Sequence, residues 1–157
     1  MNQEAQQPIA ENMLKYANYK EQHERLNKAL KNNFYLEAIF IEYAIIEDRL
    51  SSILRYEGNS IKVKDEKDFV SIERKINKVR TITREKKGLA FKYFAPEFID
   101  SIENWKGKRN PLIHALMKQQ LTTEGLLDLA TEGQAIVKEL SRLSQNYKRA
   151  VERKARK

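Results

Sequence analysis

Cysteine is absent from the 157 residues, which excludes disulfides, cysteine nucleophiles and thiolate metal sites. Glycine and proline are scarce, with five and three copies, and this scarcity favours helix over sheet. No apolar run approaches the roughly 18 residues that a membrane span needs, and the polar segment 1–7 does not resemble a signal peptide. The composition therefore predicts a single domain over residues 1–157, with no membrane partner and a cytoplasmic location as the default.

Positive charge is in excess. Thirty Lys and Arg residues against 22 Asp and Glu residues give a formal net charge of +8. Such a surplus suits a polyanionic partner, because basic side chains that bind phosphates release counterions. Six basic side chains lie among the final ten residues: Lys148, Arg149, Arg153, Lys154, Arg156 and Lys157. This basic helix end, at about 148–157, either binds RNA or is a solvated surface.

Apolar side chains recur at helical spacing in five segments. The predicted helices cover residues 9 or 11 to 31, 34–56, 69–82, 96–121 and 122–151. The first two carry apolar faces that include Met13, Leu14, Tyr16 and Phe40, and Pro96 and Thr122 or Thr123 are suitable helix starts. The pattern predicts an all-α, up-and-down bundle of about five helices.

The most specific pattern is the hexapeptide Arg109-Asn110-Pro111-Leu112-Ile113-His114. The chain has only two histidines, and this one follows an arginine by five positions. Arginine offers phosphate a planar fork of donors, and histidine moves protons near neutral pH. Together the two side chains form a minimal set for cleaving RNA without a metal.

The backbone around the motif has to bring the two side chains together. In an uninterrupted helix, Arg109 and His114 stand about 140° apart around the axis. Pro111 clashes with the carbonyl of Gly107 in a regular helix, and Asn110 before Pro111 is a favourable N-cap. We therefore expect a kink or a restart of the helix, with His114 in or near the first turn. There the positive end of the helix dipole would attract phosphate.

The motif resembles the signature of the HEPN superfamily, because it lies late in a small helical bundle and follows an aromatic and several basic residues. The resemblance matches the family's catalytic arginine and histidine to Arg109 and His114, and its polar residue to Asn110. It implies a HEPN-like fold and a metal-independent endoribonuclease of the toxin–antitoxin, phage-defence or CRISPR-linked kind. Such proteins typically dimerise, so that two copies of the motif form one composite cleft.

One position departs from a regulated branch of that family. Toxins paired with a minimal nucleotidyltransferase antitoxin often carry a tyrosine, the target of modification, two residues after the histidine. The corresponding residue here is Leu116. The resemblance therefore does not imply that form of regulation.

The implied reaction is attack of the RNA 2′-hydroxyl on the adjacent phosphorus, with no cofactor. His114 would act as general base or acid, and Arg109 would stabilise charge on the phosphoryl oxygens. Asn110 would hold the turn or contact phosphate, and a second subunit would supply a second histidine. Alternatively, Arg109 and His114 are a surface pair and Asn110 is only a helix cap.

Glu47 is a candidate supporting residue, because a carboxylate on the apolar face of the second helix needs a partner. It either orients Arg109 or His114, or it pairs with Arg49 or Arg55 at the edge of the helix.

Other side chains near the motif have two interpretations each. Lys106, Lys108 and Lys118 either steer the RNA backbone or are solvated. Trp105 either stacks on a base or packs in the core, and its spacing from neighbouring apolar residues favours the core. His23 is predicted to be a surface residue. No metal site is expected, because the two histidines are far apart in sequence.

Two classes of function remain. The first is an endoribonuclease that acts as a homodimer and serves as a toxin or a defence effector. An antitoxin or an immunity protein is a further possible partner in this class. The second is a non-catalytic helical module that binds RNA or a partner protein. The sequence has no glycine-rich phosphate loop, which argues against an NTPase or a dinucleotide enzyme.

Overall fold

The computed structural model describes the backbone of residues 3–58, 70–118 and 122–157, and the side chains within these ranges from residue 13 onward. These ranges contain five α-helices, one short 3-10 helix and no strand. The helices are α1 (Gln3–Lys31), α2 (Tyr35–Tyr56), α3 (Ile72–Arg84), the 3-10 helix (Ala90–Lys92), α4 (Pro96–Ala115) and α5 (Thr123–Ala155). The predicted all-α bundle is confirmed. None of the described helices is both long and apolar enough to cross a bilayer.

Helix α2 is the centre of the bundle and packs against α1, α3 and α5, while α4 lies against α3 and α5. Trp105 of α4 is fully buried, and its Nε1 donates a hydrogen bond to the carbonyl of Leu129 on α5 at 3.0 Å. This contact satisfies the one polar atom of the indole in an apolar core. It confirms core packing for Trp105 and fixes α4 one turn before Arg109.

Several helix ends have the local chemistry that the sequence predicts. Pro96 occupies the start of α4, where its missing N–H costs nothing. The Thr122 hydroxyl accepts a hydrogen bond from the Gly125 backbone N–H at 3.2 Å and caps α5. Ser71 caps α3 in the same way through the Arg74 N–H. Phe69, predicted to open α3, lies outside the described residues.

The predicted apolar face of α1 is wrong in its first half. Met13, Leu14 and Tyr16 are 69, 63 and 74 % exposed. Helix α1 packs chiefly against α2, so only a narrow strip of it is covered, and α1 begins earlier than predicted, at Gln3. Phe40 of α2, also predicted to face the core, is 49 % exposed.

The predicted kink or restart at Gly107 and Pro111 is also corrected. Helix α4 runs through both residues from Pro96 to Ala115, so Asn110 is not an N-cap, and the helix does not continue to residue 121. Gly107 and Pro111 are exposed, so water can reach the carbonyl that lacks the proline's N–H. Contacts just before Pro111, from Lys108 to α5 and from Arg109 to α2, position this part of the helix.

Glu57, just after α2, braces the connection between α3 and α4. Its Oε1 accepts hydrogen bonds from the backbone N–H groups of Ala90 at 2.7 Å and Leu89 at 3.1 Å, and from the Tyr147 hydroxyl at 2.7 Å. Burial and the Glu57 carboxylate both raise the pKa of Tyr147. One side chain thus joins three separate parts of the chain.

Replacing Glu57 by alanine is expected to lower the free energy of unfolding by about 2 kcal/mol, because it leaves backbone N–H groups without an acceptor. Urea unfolding followed by circular dichroism measures the change. The matched control is Glu57→Gln, which keeps one acceptor oxygen and should lose about half as much. Equal stability of the alanine variant and the wild type would contradict the bracing role.

Candidate active site

Arg109 lies where α4 meets α2. Its guanidinium carbon is 3.9 Å from the centre of the Tyr43 ring and 5.4 Å from that of Phe40. Its Nη1 donates a hydrogen bond to Oδ1 of Asn110 at 3.3 Å, whereas Nε is buried with no hydrogen-bond partner among the described residues. Burial lowers the pKa of Arg109, but a guanidinium stays charged at neutral pH. The Arg109 side chain is therefore a positive charge whose position is fixed by its aromatic neighbours.

The platform under Arg109 is a feature that the sequence reasoning missed. Phe40, Tyr43 and Glu47 follow one another at spacings of three and four, so they share one face of α2. Burial, followed by the charge of Glu47, raises the pKa of Tyr43. The sequence contains the pattern for it, because two aromatic residues three positions apart on one helix form a surface on which a cation can stack.

Glu47 does not pair with Arg49 or Arg55. Its Oε1 is 2.9 Å from Nζ of Lys75 on α3, and both side chains are mostly buried. It does lie near Tyr43, whose pKa it raises. Glu47 thus secures α2 against α3. No hydrogen bond or ion pair joins it to Arg109, His114, Arg49 or Arg55.

His114 lies in the last turn of α4 and is exposed. Because the helix does not restart at Pro111, His114 lies at the negative end of the helix dipole, which does not favour a bound phosphate. Arg109 and His114 remain about 140° apart around one helix. A single chain therefore does not bring their side chains to the same side.

The three lysines do not form one patch. Lys106 is 3.7 Å from Glu73 on α3 and has a side chain only 12 % exposed. Lys108 is 2.9 Å from Glu132 on α5, and Lys118 is exposed in the turn after α4. Lys106 and Lys108 therefore tie α4 to its two neighbours, which leaves Lys118 as the freest of the three to meet RNA.

Glu42 is a buried acid that the sequence reasoning overlooked. It is fully buried on α2, and neither carboxylate oxygen has a hydrogen-bond partner among the described residues. Burial raises its pKa to about 9, so the side chain is neutral at pH 7. It fills the space at Gly133 of α5: a β-carbon there would lie 2.9 Å from Trp105 Cζ2 and closer still to the Glu42 carboxylate.

The burial of Glu42 could have been predicted from the sequence. Glu42 follows Ile39 by three residues and precedes Ile46 by four, which places it on the buried face of α2.

His23 is less exposed than predicted. It is partly covered and its ring stacks on Tyr19, with the ring centres 6.4 Å apart. Burial, followed by the charge of Arg49, lowers its pKa.

In the described parts of the chain, no three His, Asp or Glu side chains gather in a way that could hold a metal ion.

The structure thus places the stacked, positively charged Arg109 and the exposed His114 on one helix, five residues apart. Comparisons of the chain with protein-family models, with curated proteins and with solved structures gave no match. Function therefore has to be inferred from these side chains and their positions.

Proposed function

We propose that this protein is a metal-independent endoribonuclease with a HEPN-like fold that acts as a homodimer. The observation that carries the proposal is the Arg109 guanidinium held over Tyr43, with the exposed His114 five residues further along α4. Stacking limits the movement of the arginine without neutralising its charge. A cation held in this way is suited to stabilise charge on phosphoryl oxygens.

In the proposed reaction, the 2′-hydroxyl oxygen of RNA attacks the adjacent phosphorus, and the bond from phosphorus to the 5′ oxygen breaks. His114 of one copy accepts the proton of the 2′-hydroxyl, and a protonated His114 of the second copy donates a proton to the leaving oxygen. Arg109 stabilises the charge on the non-bridging oxygens, and Asn110 orients Arg109. The products are a 2′,3′-cyclic phosphate and a 5′-hydroxyl.

A second copy completes the site because α4 is one continuous helix. Arg109 and His114 of one chain lie on different sides of it, so Arg109 of one copy has to meet His114 of the other. Phe40, beside Arg109, is 49 % exposed, and Met117, three residues after His114, is 94 % exposed. Exposed apolar side chains on both flanks of the motif suit an interface between copies.

A non-catalytic module that binds RNA or a partner protein is the second candidate. It is favoured by the packing of Arg109, which attaches α4 to α2 and so has a structural use that needs no chemistry. In that case, replacing His114 would alter neither folding nor the integrity of RNA.

The purified protein is expected to cleave RNA in excess EDTA and to leave 2′,3′-cyclic phosphate and 5′-hydroxyl ends. A panel of single-stranded and structured RNAs is incubated with the protein, and the ends are identified by mass spectrometry. The matched substrate carries 2′-deoxynucleotides and should stay intact, since it lacks the nucleophile. Equal cleavage by wild type and His114→Ala would overturn the proposal. So would the absence of cleavage by either protein across the whole panel.

The resemblance to HEPN proteins also suggests what the protein does in its cell. We propose a role as a toxin or phage-defence effector, restrained in its own cell by an antitoxin or immunity partner. The basic end of α5, where the side chains of 152–157 are exposed, would add non-specific attraction for RNA.

A further inference from the structure

A cleft of about 550 Å³ lies between α1, α2 and α5, and none of Arg109, Asn110 and His114 lines it. The described residues that line it include six cationic side chains and no carboxylate: Lys15, Lys20, Arg49, Arg55, Lys148 and Arg149. Among the described residues, only Lys15 of the six has an acidic partner, Asp48 at 3.3 Å. Cations held together in a concave site raise the local concentration of anions.

Three polar atoms in the wall of the cleft are buried and have no hydrogen-bond partner among the described residues. They are Nε of Arg49 and the hydroxyl oxygens of Ser141 and Ser144. Ser144 is 8 % exposed. Buried polar groups of folded proteins are nearly always hydrogen-bonded. Each of these three atoms can donate a hydrogen bond, so the cleft suits a ligand rich in acceptor oxygens.

The size and charge of the cleft restrict the kind of ligand that would fit it. Its volume lies in the range of about 300–1,000 Å³ that is typical of small-molecule sites. Several cations face one space, so a ligand with several negative charges fits better than a single phosphate. A terminal phosphate, with three free oxygens, can approach donors in a wall, whereas an internal phosphodiester of RNA has two and is flanked by sugars.

We propose that this cleft binds a small ligand with a chain of two or three phosphates. Arg49 and the two serines would donate to the terminal phosphate, and the remaining cations would neutralise the other phosphates. Free oligophosphate and a nucleoside di- or triphosphate both carry this group. Tyr16, which is 74 % exposed at the cleft, offers a ring on which the base of a nucleotide could stack. The site is independent of the proposed cleavage of RNA.

Calorimetry with inorganic triphosphate, ATP and single phosphate tests the proposal on the full chain. Triphosphate should bind more tightly than single phosphate. Arg49→Gln should weaken triphosphate binding by about tenfold, because a charge-assisted hydrogen bond is lost, and Ser144→Ala by about threefold. The control variant Lys78→Gln removes an equal charge from an exposed position on α3 and should leave the affinity unchanged.

Thermal unfolding without ligand separates binding from folding. Ser144→Ala removes a buried hydroxyl that has no hydrogen-bond partner among the described residues, so the free protein should be at least as stable as wild type. Tighter binding of ATP than of triphosphate would identify a nucleotide as the source, and equal binding would identify an oligophosphate. Loss of affinity in Ser144→Ala without loss of stability supports the site. Binding of an RNA oligomer with no binding of triphosphate or ATP, or equal affinities in all variants, would overturn it.

Discussion

The variant His114→Ala is expected to cleave RNA about 10²–10⁴-fold more slowly than wild type, which is the usual contribution of a positioned general acid or base. Its fold should be unchanged, because His114 is exposed in the last turn of α4 and alanine is a better helix former than histidine. In the proposed dimer both copies lose their proton carrier, so acid and base are removed together.

Single-turnover rates on one RNA substrate measure this effect. Asn104→Ala is the matched control, since Asn104 is an exposed residue of the same helix, ten positions earlier. Inducible expression of the same three proteins, scored by growth and RNA integrity, tests the proposed role in cells. A His114→Ala rate within a factor of two of wild type would exclude His114 from the chemistry.

The stability of the protein is expected to depend on pH through Glu42. Burial raises the folded-state pKa of Glu42 to about 9 from its ordinary value of 4.5, so the folded state holds a proton that the unfolded state releases. This contribution to stability is greatest below about pH 4.5 and is lost as the pH rises towards about 9. At 1.36 kcal/mol for each pH unit, the loss reaches up to about 3 kcal/mol at pH 7.

Glu42→Gln removes the titrating group and keeps its shape. We expect the variant to gain stability over wild type as the pH rises from 5 to 8, by up to about 1.4 kcal/mol for each pH unit. Urea unfolding at several pH values measures the difference. Glu24→Gln, at an exposed position on α1, is the control and should give a constant difference. A constant difference for Glu42→Gln would mean that the buried carboxyl is not protonated in the folded state.

Much of the fold was predictable because local signals and packing agree. The second helix was predicted over 34–56 and spans Tyr35–Tyr56, since its apolar residues keep a helical spacing over six turns. The start of α5 follows from the Thr122 cap and the start of α4 from Pro96. In each of these places the cap residue and the apolar period indicate the same boundary.

The remaining features depend on contacts between distant parts of the chain. Local propensity favoured a break at Pro111, but α4 continues to Ala115, with Lys108 in contact with α5 and Arg109 in contact with α2 just before the proline. Glu47 pairs with Lys75, 28 residues away. The space that admits Glu42 exists because Gly133 faces it, and no pattern within α2 reveals which residue of α5 that is.

The continuous α4 sets a condition on how two copies can meet. Along a helix axis, Arg109 and His114 are separated by about 7.5 Å. A twofold axis that places Arg109 of one copy beside His114 of the other has to pass level with their midpoint, beside Pro111 and Leu112. Gly107 lies one turn before Pro111, on the same flank, and a β-carbon there would meet nothing within 4 Å. Around the axis of α4, however, Gly107 and Pro111 stand about 160° from Arg109, whereas Asn110 and Ile113 lie between Arg109 and His114. The second copy would then approach on the side of Asn110 and Ile113, and the proline and glycine that seemed to interrupt the helix would lie away from it.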